Sequence, residues 1–236
     1  MSAALVINAI QNKANATQAR HSQRFFKTSK GEYGYGDVFL GVTVPQLRKI
    51  ATEHKDLTLP QIEKLIASKF HEVRFCGLVI LTLQFKSSSE SIVHKKIFDF
   101  YLKQVKAERV NNWDLVDVSA PIIGQYLIGS GSSNQLLLKL AGSKSLWQRR
   151  VAIVVTFAFI REAIPQPTLL IAQKLIRDEQ DLIHKATGWM LREMGKRNPI
   201  ELRRFLEKNV SVMPRTMLRY AIEKFSETER KKWLAK

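Results

Sequence analysis

Apolar residues recur with the 3.6-residue period of an α-helix through almost the whole of this 236-residue chain, and alternating strand patterns are nearly absent. The pattern therefore predicts an all-α fold. It predicts a helix through much of 2–28, then helical stretches near 44–54, 59–68, 71–86, 89–106, 111–128, 133–142, 146–163, 167–177, 180–196, 199–208, 213–224 and 227–235. The breaks carry Gly, Pro, Ser and Asn and are short, so we expect neighbouring helices to pack antiparallel.

The predicted helices contain a loose internal repeat. Long helices opening on a charged or aromatic cluster begin near His71, Asn111, Leu146 and Leu182. Arg74 and Arg150 lie 76 residues apart, twice 38, with Asn112 midway. Units of that size, one shorter and one longer helix, resemble HEAT repeats, which bury their apolar faces by stacking. We predict one HEAT-like helical solenoid, an α-α superhelix over residues 1–236 with a concave basic face. An irregular helical bundle is the alternative.

The charge of the chain indicates a polyanionic partner. Lys and Arg number 38 against 21 Asp and Glu, giving a net charge of +17. Nucleic acid fits this balance better than acidic lipid. In a solenoid, the equivalent helices would line a basic groove about as wide as duplex DNA with Arg74, Trp113, Arg149, Arg150, Lys185 and Arg219. A basic surface that only confers solubility is the alternative.

Several classes of site are disfavoured by the sequence. The lone cysteine, Cys76, lies in an apolar run and is expected to be a core residue. The five histidines show no ligand spacing, and the phosphate-binding loop and hydrolase motifs are missing, so we expect neither metal nor cofactor. No apolar run is long enough for a membrane span, and the first residues lack the pattern of a secretory signal. We expect a cytoplasmic, nucleoid-associated monomer.

Two features of the sequence remain open. The segment 30–37 is rich in Gly and Tyr; its glycines favour a tight turn, with Tyr33 and Tyr35 either packing or touching DNA. Trp113 and Asp117 are four residues apart on a predicted helix and share a face. Such a tryptophan is more often a core residue, and such an aspartate a cap or an ion-pair partner of Arg150.

Four segments resemble the AlkD-type family of DNA alkylation repair glycosylases. They occur in the family's order and with similar spacing, and together they extend over most of residues 20–225. The segments are Phe39-Leu-Gly-Val-Thr-Val-Pro-Gln-Leu-Arg48, Asn112-Trp-Asp-Leu-Val-Asp117, Trp147-Gln-Arg-Arg-Val-Ala-Ile153 and Lys185-Ala-Thr-Gly-Trp-Met-Leu-Arg-Glu193.

The resemblance implies a HEAT-like solenoid that binds duplex DNA and hydrolyses the N-glycosidic bond of cationic N3- and N7-alkylpurines. Asp117 matches the catalytic aspartate of the family. Trp113 and Trp189 match the tryptophans that contact the lesion deoxyribose, and Arg150 matches the arginine that holds the DNA backbone. The resemblance also implies that the base stays largely stacked, and no lysine is required as a nucleophile.

The chain departs from the family pattern at three places. Phe25, which we expect to contact DNA, stands where some members have a tyrosine, Arg149 doubles a single arginine, and the loop 30–37 is longer. These differences bear on substrate range more than on reaction type. A non-catalytic DNA- or RNA-binding module and a protein-interaction scaffold are the two rival functions; base release would exclude both, and absence of DNA binding at low salt would favour the scaffold.

Overall fold

Helices joined by short turns make up the protein in this computed structural model, which describes residues 2–236. Within that range the only β-type pairing is an isolated bridge between Val38 and Phe70, so the predicted all-α fold is confirmed. No helix there is long and apolar enough to cross a lipid bilayer. The helices are α1 (Ala3–Gln11), α2 (Ala16–Phe25), α3 (Val44–Glu53), α4 (Leu59–Ile66), α5 (His71–Ser87), α6 (Ser91–Lys106), α7 (Trp113–Ile123), α8 (Ser133–Ala141), α9 (Leu146–Val154), α10 (Thr156–Arg161), α11 (Gln166–Leu175), α12 (Asp181–Arg197), α13 (Pro199–Asn209), α14 (Arg215–Ala221) and α15 (Glu227–Leu234), with a 3₁₀ turn at Gly124–Leu127.

Two predicted helices are each divided in the structure. The stretch 2–28 becomes α1 and α2, because the Asn15 side chain accepts a hydrogen bond from the Gln18 backbone N–H and caps a new helix. The stretch 146–163 becomes α9 and α10. There the Thr156 hydroxyl donates to the Ile153 carbonyl at 2.6 Å, competing with the backbone for its acceptor inside a β-branched run.

The chain divides into two compact units, Met1–Ile123 and Gly124–Lys236. The single continuous solenoid therefore stays a prediction, but each unit contains the packing that repeats require. In the first unit α4 packs on α5 and α6 on α7, while α5 also packs on α7 and α4 on α6. In the second unit α8 packs on α9 and α11 on α12, while α9 also packs on α12 and α8 on α11. Each unit thus stacks helix pairs in two layers.

Helix α5 is the centre of the first unit. It contacts α1, α3, α4, α6 and α7, and its residues from His71 to Thr82 are all buried, charged ones included. Cys76 is fully buried, and burial raises the pKa of its thiol to about 12. The expectation that Cys76 is a core residue is confirmed.

Helix α12 is the corresponding centre of the second unit, and its contact with α14 depends on a glycine. A Cβ atom added to Gly188 would lie 2.5 Å from both the Met217 carbonyl oxygen and the Tyr220 Cβ. The neighbouring residue along the chain is Trp189. Close packing at Gly188 therefore fixes the position of the backbone that carries this tryptophan.

We predict that Gly188→Ala lowers the free energy of unfolding by about 1–3 kcal/mol, the usual effect of overpacking. Gly131→Ala is the matched control, because a Cβ there would meet nothing within 4 Å. It should change stability by less than about 0.5 kcal/mol. Urea unfolding followed by circular dichroism measures both, and equal stability of the two variants would contradict the close α12–α14 approach.

Candidate active site

The first unit presents Trp113 as the first residue of α7, within a stack of aromatic rings. Its indole lies parallel to the Phe26 ring, with centroids 5.3 Å apart, and edge-on to Phe25 at 5.8 Å. Phe26 stacks in turn on Phe39 at 4.9 Å, and Phe39 on the His71 imidazole at 4.6 Å. Trp113 remains half-buried, so part of its ring stays accessible. Trp113 therefore packs against its aromatic neighbours and still presents part of its ring to a partner.

Asp117 lies one turn after Trp113 on α7 and is also half-buried. Its charge acts on the Tyr101 hydroxyl, which is fully buried and lies 3.1 Å from the Ser119 Oγ. Burial is the main cause of the raised pKa of Tyr101, and the negative charge of Asp117 raises it further. A half-buried carboxylate beside a neutral phenol can act on a charge that develops at the protein surface.

A buried network of charged side chains holds the beginning of α7 in place. Asp37 accepts hydrogen bonds from Arg74 Nη2 at 2.5 Å and from Asn112 Nδ2 at 2.9 Å, and lies 3.1 Å from His71 Nδ1. The other imidazole nitrogen of His71 lies 2.8 Å from Asp114 Oδ2. Asn112 immediately precedes Trp113, and Asp114 immediately follows it. The network therefore fixes the backbone on both sides of the indole.

The charges of this network are mutually stabilising. Burial alone would lower the pKa of His71, but the Asp114 carboxylate and the hydrogen bond to Asp37 outweigh it and raise that pKa to about 9. Burial alone would raise the pKa of Asp37, but the hydrogen bond from His71, the Arg74 charge and the Asn112 amide lower it below its ordinary value. At neutral pH His71 is thus a cation between two carboxylates.

The Gly/Tyr loop delivers Asp37 to this network. Gly31 and Gly36 have φ values of +87° and +90°, and the backbone N–H of Asp37 donates to the Gly34 carbonyl at 3.0 Å. Tyr35 is 66% exposed. The predicted tight turn is confirmed. The turn places the Asp37 carboxylate in the interior of the first unit.

A second carboxylate orders the segment that follows the loop. Glu72 is 3% exposed, and its carboxylate accepts the backbone N–H groups of Leu40 at 3.0 Å and Gly41 at 2.7 Å. These residues lie in the Phe39–Arg48 segment. Between this segment, α2 and Trp113 lies an open pocket of about 630 Å³.

The second unit contains Trp189, half-buried on α12. Its ring centroid lies 6.1 Å from that of Phe157. The guanidinium of Arg161 lies over the Phe157 ring, 4.8 Å from its centroid, and Arg161 is exposed. Phe157 thus has Trp189 and an exposed cation, Arg161, as neighbours, and the sequence reasoning selected neither Phe157 nor Arg161.

Arg74, expected from the sequence to contact DNA, lies inside the first unit. It is 5% exposed, and besides its bond to Asp37 its Nη1 donates to the carbonyls of Ser68 at 3.0 Å and Lys69 at 3.3 Å. The physical reason is that α5 is buried along this whole stretch, so a basic residue there must be paired. Arg74 is therefore a structural cation and is not among the DNA contacts proposed below.

Two further arginines are held by contacts within the second unit. Arg149 donates from Nε to Asp178 at 2.6 Å and from Nη1 to the Ser143 carbonyl at 3.1 Å. Arg150 is 5% exposed and donates from Nη1 to the Leu182 carbonyl at 2.8 Å. Arg150 is as little exposed as Arg74, so its expected contact with DNA, like that of Arg149, stays a proposal that rests on the family resemblance.

The remaining expected DNA contacts are more accessible. The side chain of Lys185 is 43% exposed and pairs with Asp181 at 2.7 Å. Phe25 is 66% exposed at the end of α2. Among residues 2–236, no group of three or more His, Cys, Asp or Glu side chains is arranged to hold a metal ion.

The sequence reasoning missed Asp37, His71, Glu72 and Asp114. A usable signal was present, because His71 and Glu72 open a helix that is otherwise almost continuously apolar. Charged residues in such a helix must find buried partners.

A family model described as DNA alkylation repair enzyme matches residues 6–225 of the chain. Among solved structures, the fold is similar to that of a predicted DNA alkylation repair enzyme from Enterococcus faecalis. The similarity has a TM-score of 0.69 at 18% identity and covers 91% of this chain and 98% of the other. No curated protein matches the chain.

The His71 network predicts a pH-dependent stability. Because the pKa of His71 rises from an ordinary 6.5 to about 9 on folding, its stabilisation is complete below about pH 6.5 and is lost as the pH rises through 9. The loss should be of the order of 2–4 kcal/mol in the free energy of unfolding.

Urea unfolding between pH 6 and 8.5 tests this, with the slope against pH as the readout, because the buried Cys76 thiol and Tyr101 hydroxyl add a pH dependence of their own only at higher pH. His71→Gln should flatten the slope, whereas His21→Gln, at an exposed position, should leave it unchanged. An unchanged slope in His71→Gln would show that another group titrates.

Proposed function

We propose that this chain, which belongs to the family of DNA alkylation repair enzymes, hydrolyses the N-glycosidic bond of cationic alkylpurines in duplex DNA. The substrates are N3-methyladenine and N7-methylguanine nucleotides, and the products are the free base and an abasic site. The reaction would begin base excision repair of alkylation damage.

The observation that carries the proposal is the pairing of Trp113 and Asp117 on one accessible face of α7. An alkylated purine is already positively charged, so it leaves as a neutral base with little need for protonation. The sugar left behind develops oxocarbenium character. An ionised carboxylate and the face of an indole both stabilise a nearby cation.

We assign Asp117 two roles in this reaction. Its carboxylate stabilises the sugar cation as the bond breaks, and it positions the water that attacks the sugar carbon. Both roles need the ionised form, which is the ordinary state of an aspartate at neutral pH. Trp113 provides an aromatic surface for the deoxyribose, held in place by Phe26.

The second unit supplies the other proposed contacts. Trp189 would contact the deoxyribose as a second indole, and Arg150 would hold the backbone near the lesion, as the family resemblance implies. Arg149, Lys185 and Phe25 complete the proposed DNA contacts. The net charge of +17 favours binding to a duplex by counterion release.

We infer a monofunctional glycosylase, because the proposed mechanism uses water and no lysine nucleophile. The proposed mechanism also uses no general acid to protonate the leaving base. The one histidine near Trp189 in sequence, His184, has its Nε2 hydrogen-bonded to the Asp178 carbonyl. That contact leaves the nitrogen engaged within the protein.

Asp117→Asn should slow the release of N7-methylguanine by about 10²–10³-fold, because it removes the charge facing the sugar cation while keeping the side chain's shape. DNA affinity should stay within about twofold of the parent protein. Single-turnover excision and fluorescence anisotropy measure the two effects. Asp99→Asn, at an exposed position on α6, is the control, and excision by Asp117→Asn at the control's rate would remove Asp117 from the mechanism.

Lesion charge provides a test of the mechanism as a whole. N3-methyladenine and N7-methylguanine should be released from a duplex, whereas hypoxanthine and 1,N6-ethenoadenine in the same sequence should remain, because these neutral bases need protonation to leave. Chromatography of the released bases and gel analysis before and after alkali give both lesion range and lyase activity. Efficient hypoxanthine release would require a general acid and direct attention to His184.

A further inference from the structure

We propose that a surface built around the Gly/Tyr loop of the first unit binds the sugar-phosphate backbone of the DNA strand that contacts Trp113. This loop surface consists of exposed residues on two segments of the chain: Lys27, Lys30, Tyr35, Val38 and Lys69. The inference rests on the proposed function and adds an interaction surface to it. For Tyr35, it chooses DNA contact over packing, the two roles that the sequence left open.

Backbone contacts bring the two segments of the loop surface together. The Gly34 N–H donates to the Lys27 carbonyl at 3.1 Å, which returns the loop to the end of α2. After the loop, Val38 pairs with Phe70 in the isolated β-bridge. Lys69 directly precedes Phe70. The loop and the residues before α5 therefore lie side by side.

The backbone of the loop is constrained before any partner binds. Gly31 and Gly36 have positive φ values, and a Cβ added to Gly34 would lie 2.3 Å from the Phe26 carbonyl oxygen. At the end of the loop, the buried network holds the Asp37 carboxylate. Because little backbone has to be ordered on binding, more of the interaction free energy is available for affinity.

Two contacts place the loop surface beside Trp113. Phe26, whose ring stacks on the indole at 5.3 Å, directly precedes Lys27. Asp37 accepts a hydrogen bond from Asn112, the residue before Trp113. Successive phosphates of one strand are only about 3.4 Å apart along the duplex axis. A strand whose deoxyribose contacts Trp113 therefore has phosphates within reach of the loop surface.

The charge of the loop surface suits a phosphate backbone. Its three lysines are exposed, and among residues 2–236 none of them makes an ion pair. The one acid exposed on residues 27–38 is Glu32, whose carboxylate accepts the Ser29 N–H at 2.9 Å. The surface thus keeps an excess of positive charge, and lysines are common phosphate contacts in protein–DNA complexes.

Two exposed side chains add an apolar part to the loop surface. Tyr35 is 66% exposed, and Val38 is 39% exposed. A deoxyribose offers such side chains an apolar face, flanked by phosphates that the lysines can contact. Binding to a lipid surface requires the whole apolar face of a helix, which two side chains on a loop do not provide. The combination therefore favours a DNA backbone over a membrane.

Fluorescence anisotropy with an undamaged duplex, at salt concentrations between about 50 and 200 mM, tests the proposal on the intact protein. Tyr35→Ala removes the exposed ring, Tyr35→Phe keeps it, and Lys69→Ala removes one charge. Ile92→Ala and Lys96→Ala are the matched controls on α6, because Lys96 is exposed and Ile92 is 70% exposed.

We expect Tyr35→Ala to weaken duplex binding at least about threefold, and Tyr35→Phe to restore the affinity of the parent protein. Lys69→Ala should weaken binding and reduce the slope of log affinity against log salt by about 0.9, the effect of one lost phosphate contact. Both controls should leave affinity and slope unchanged. Parent-like binding by Tyr35→Ala and Lys69→Ala, or equal weakening by the controls, would overturn the loop surface. Tyr35→Phe binding as weakly as Tyr35→Ala would overturn the ring contact.

Excision of N7-methylguanine by the same proteins separates this inference from the proposed function. If the parent protein releases the base and the loop variants lose neither affinity nor excision, the loop surface is overturned and the glycosylase assignment stands. If the variants lose affinity but the parent releases no base, the reverse holds. If both proposals hold, Tyr35→Ala should raise the protein concentration for half-maximal single-turnover excision more than it lowers the saturating rate. A change in the saturating rate alone would overturn backbone binding.

Discussion

The buried carboxylate of Asp37 is the contact on which the first unit depends. A charge removed from water must be paired and hydrogen-bonded, and Asp37 meets that demand with His71, Arg74 and Asn112. Asp37 lies at the end of the loop 30–37, and its partners come from α5 and from the residue before α7. Removing one partner of such a buried set typically costs about 3–5 kcal/mol. The beginning of α7 is therefore held in one position relative to α5.

That rigidity has a chemical consequence at Trp113 and Asp117. Electrostatic stabilisation of a sugar cation is effective only where the stabilising groups are already in place before the charge develops. Trp113 lies between Asn112 and Asp114, both members of the buried network, and its ring stacks on Phe26. Asp117 is one helical turn further on. The fold thus prepares the proposed site through the position of the α7 backbone and the stacking of Phe26 on Trp113.

Helix periodicity in the sequence was sufficient for the fold class and for most helix bounds, because apolar spacing reports which face is buried. It failed where local hydrogen bonds decide, at the Asn15 cap and at Thr156. It also misassigned Arg74, because a basic residue on a helix was treated as a surface group although α5 is buried along its first turns. Asp37 could not be found, since sequence spacing does not bring residue 37 next to residue 74. The basic candidates came from the placement of charge and the catalytic roles from family resemblance, and both identify positions but not their partners.

The charge distribution presents opposite requirements within one molecule. A net charge of +17 attracts phosphates, yet the same positive field would oppose both an alkylated purine cation and the sugar cation formed from it. A basic protein that binds duplex DNA and breaks the N-glycosidic bond, as proposed for this chain, therefore needs a negative electrostatic potential at its site. Near the beginning of α7 and Asp117, the two cations His71 and Arg74 are paired with Asp114 and Asp37, and the carboxylates of Glu72 and Asp117 are in excess over them. Because unit charges at about 4 Å interact far more strongly at low dielectric than in water, a few buried or half-buried carboxylates can outweigh many distant, screened surface lysines.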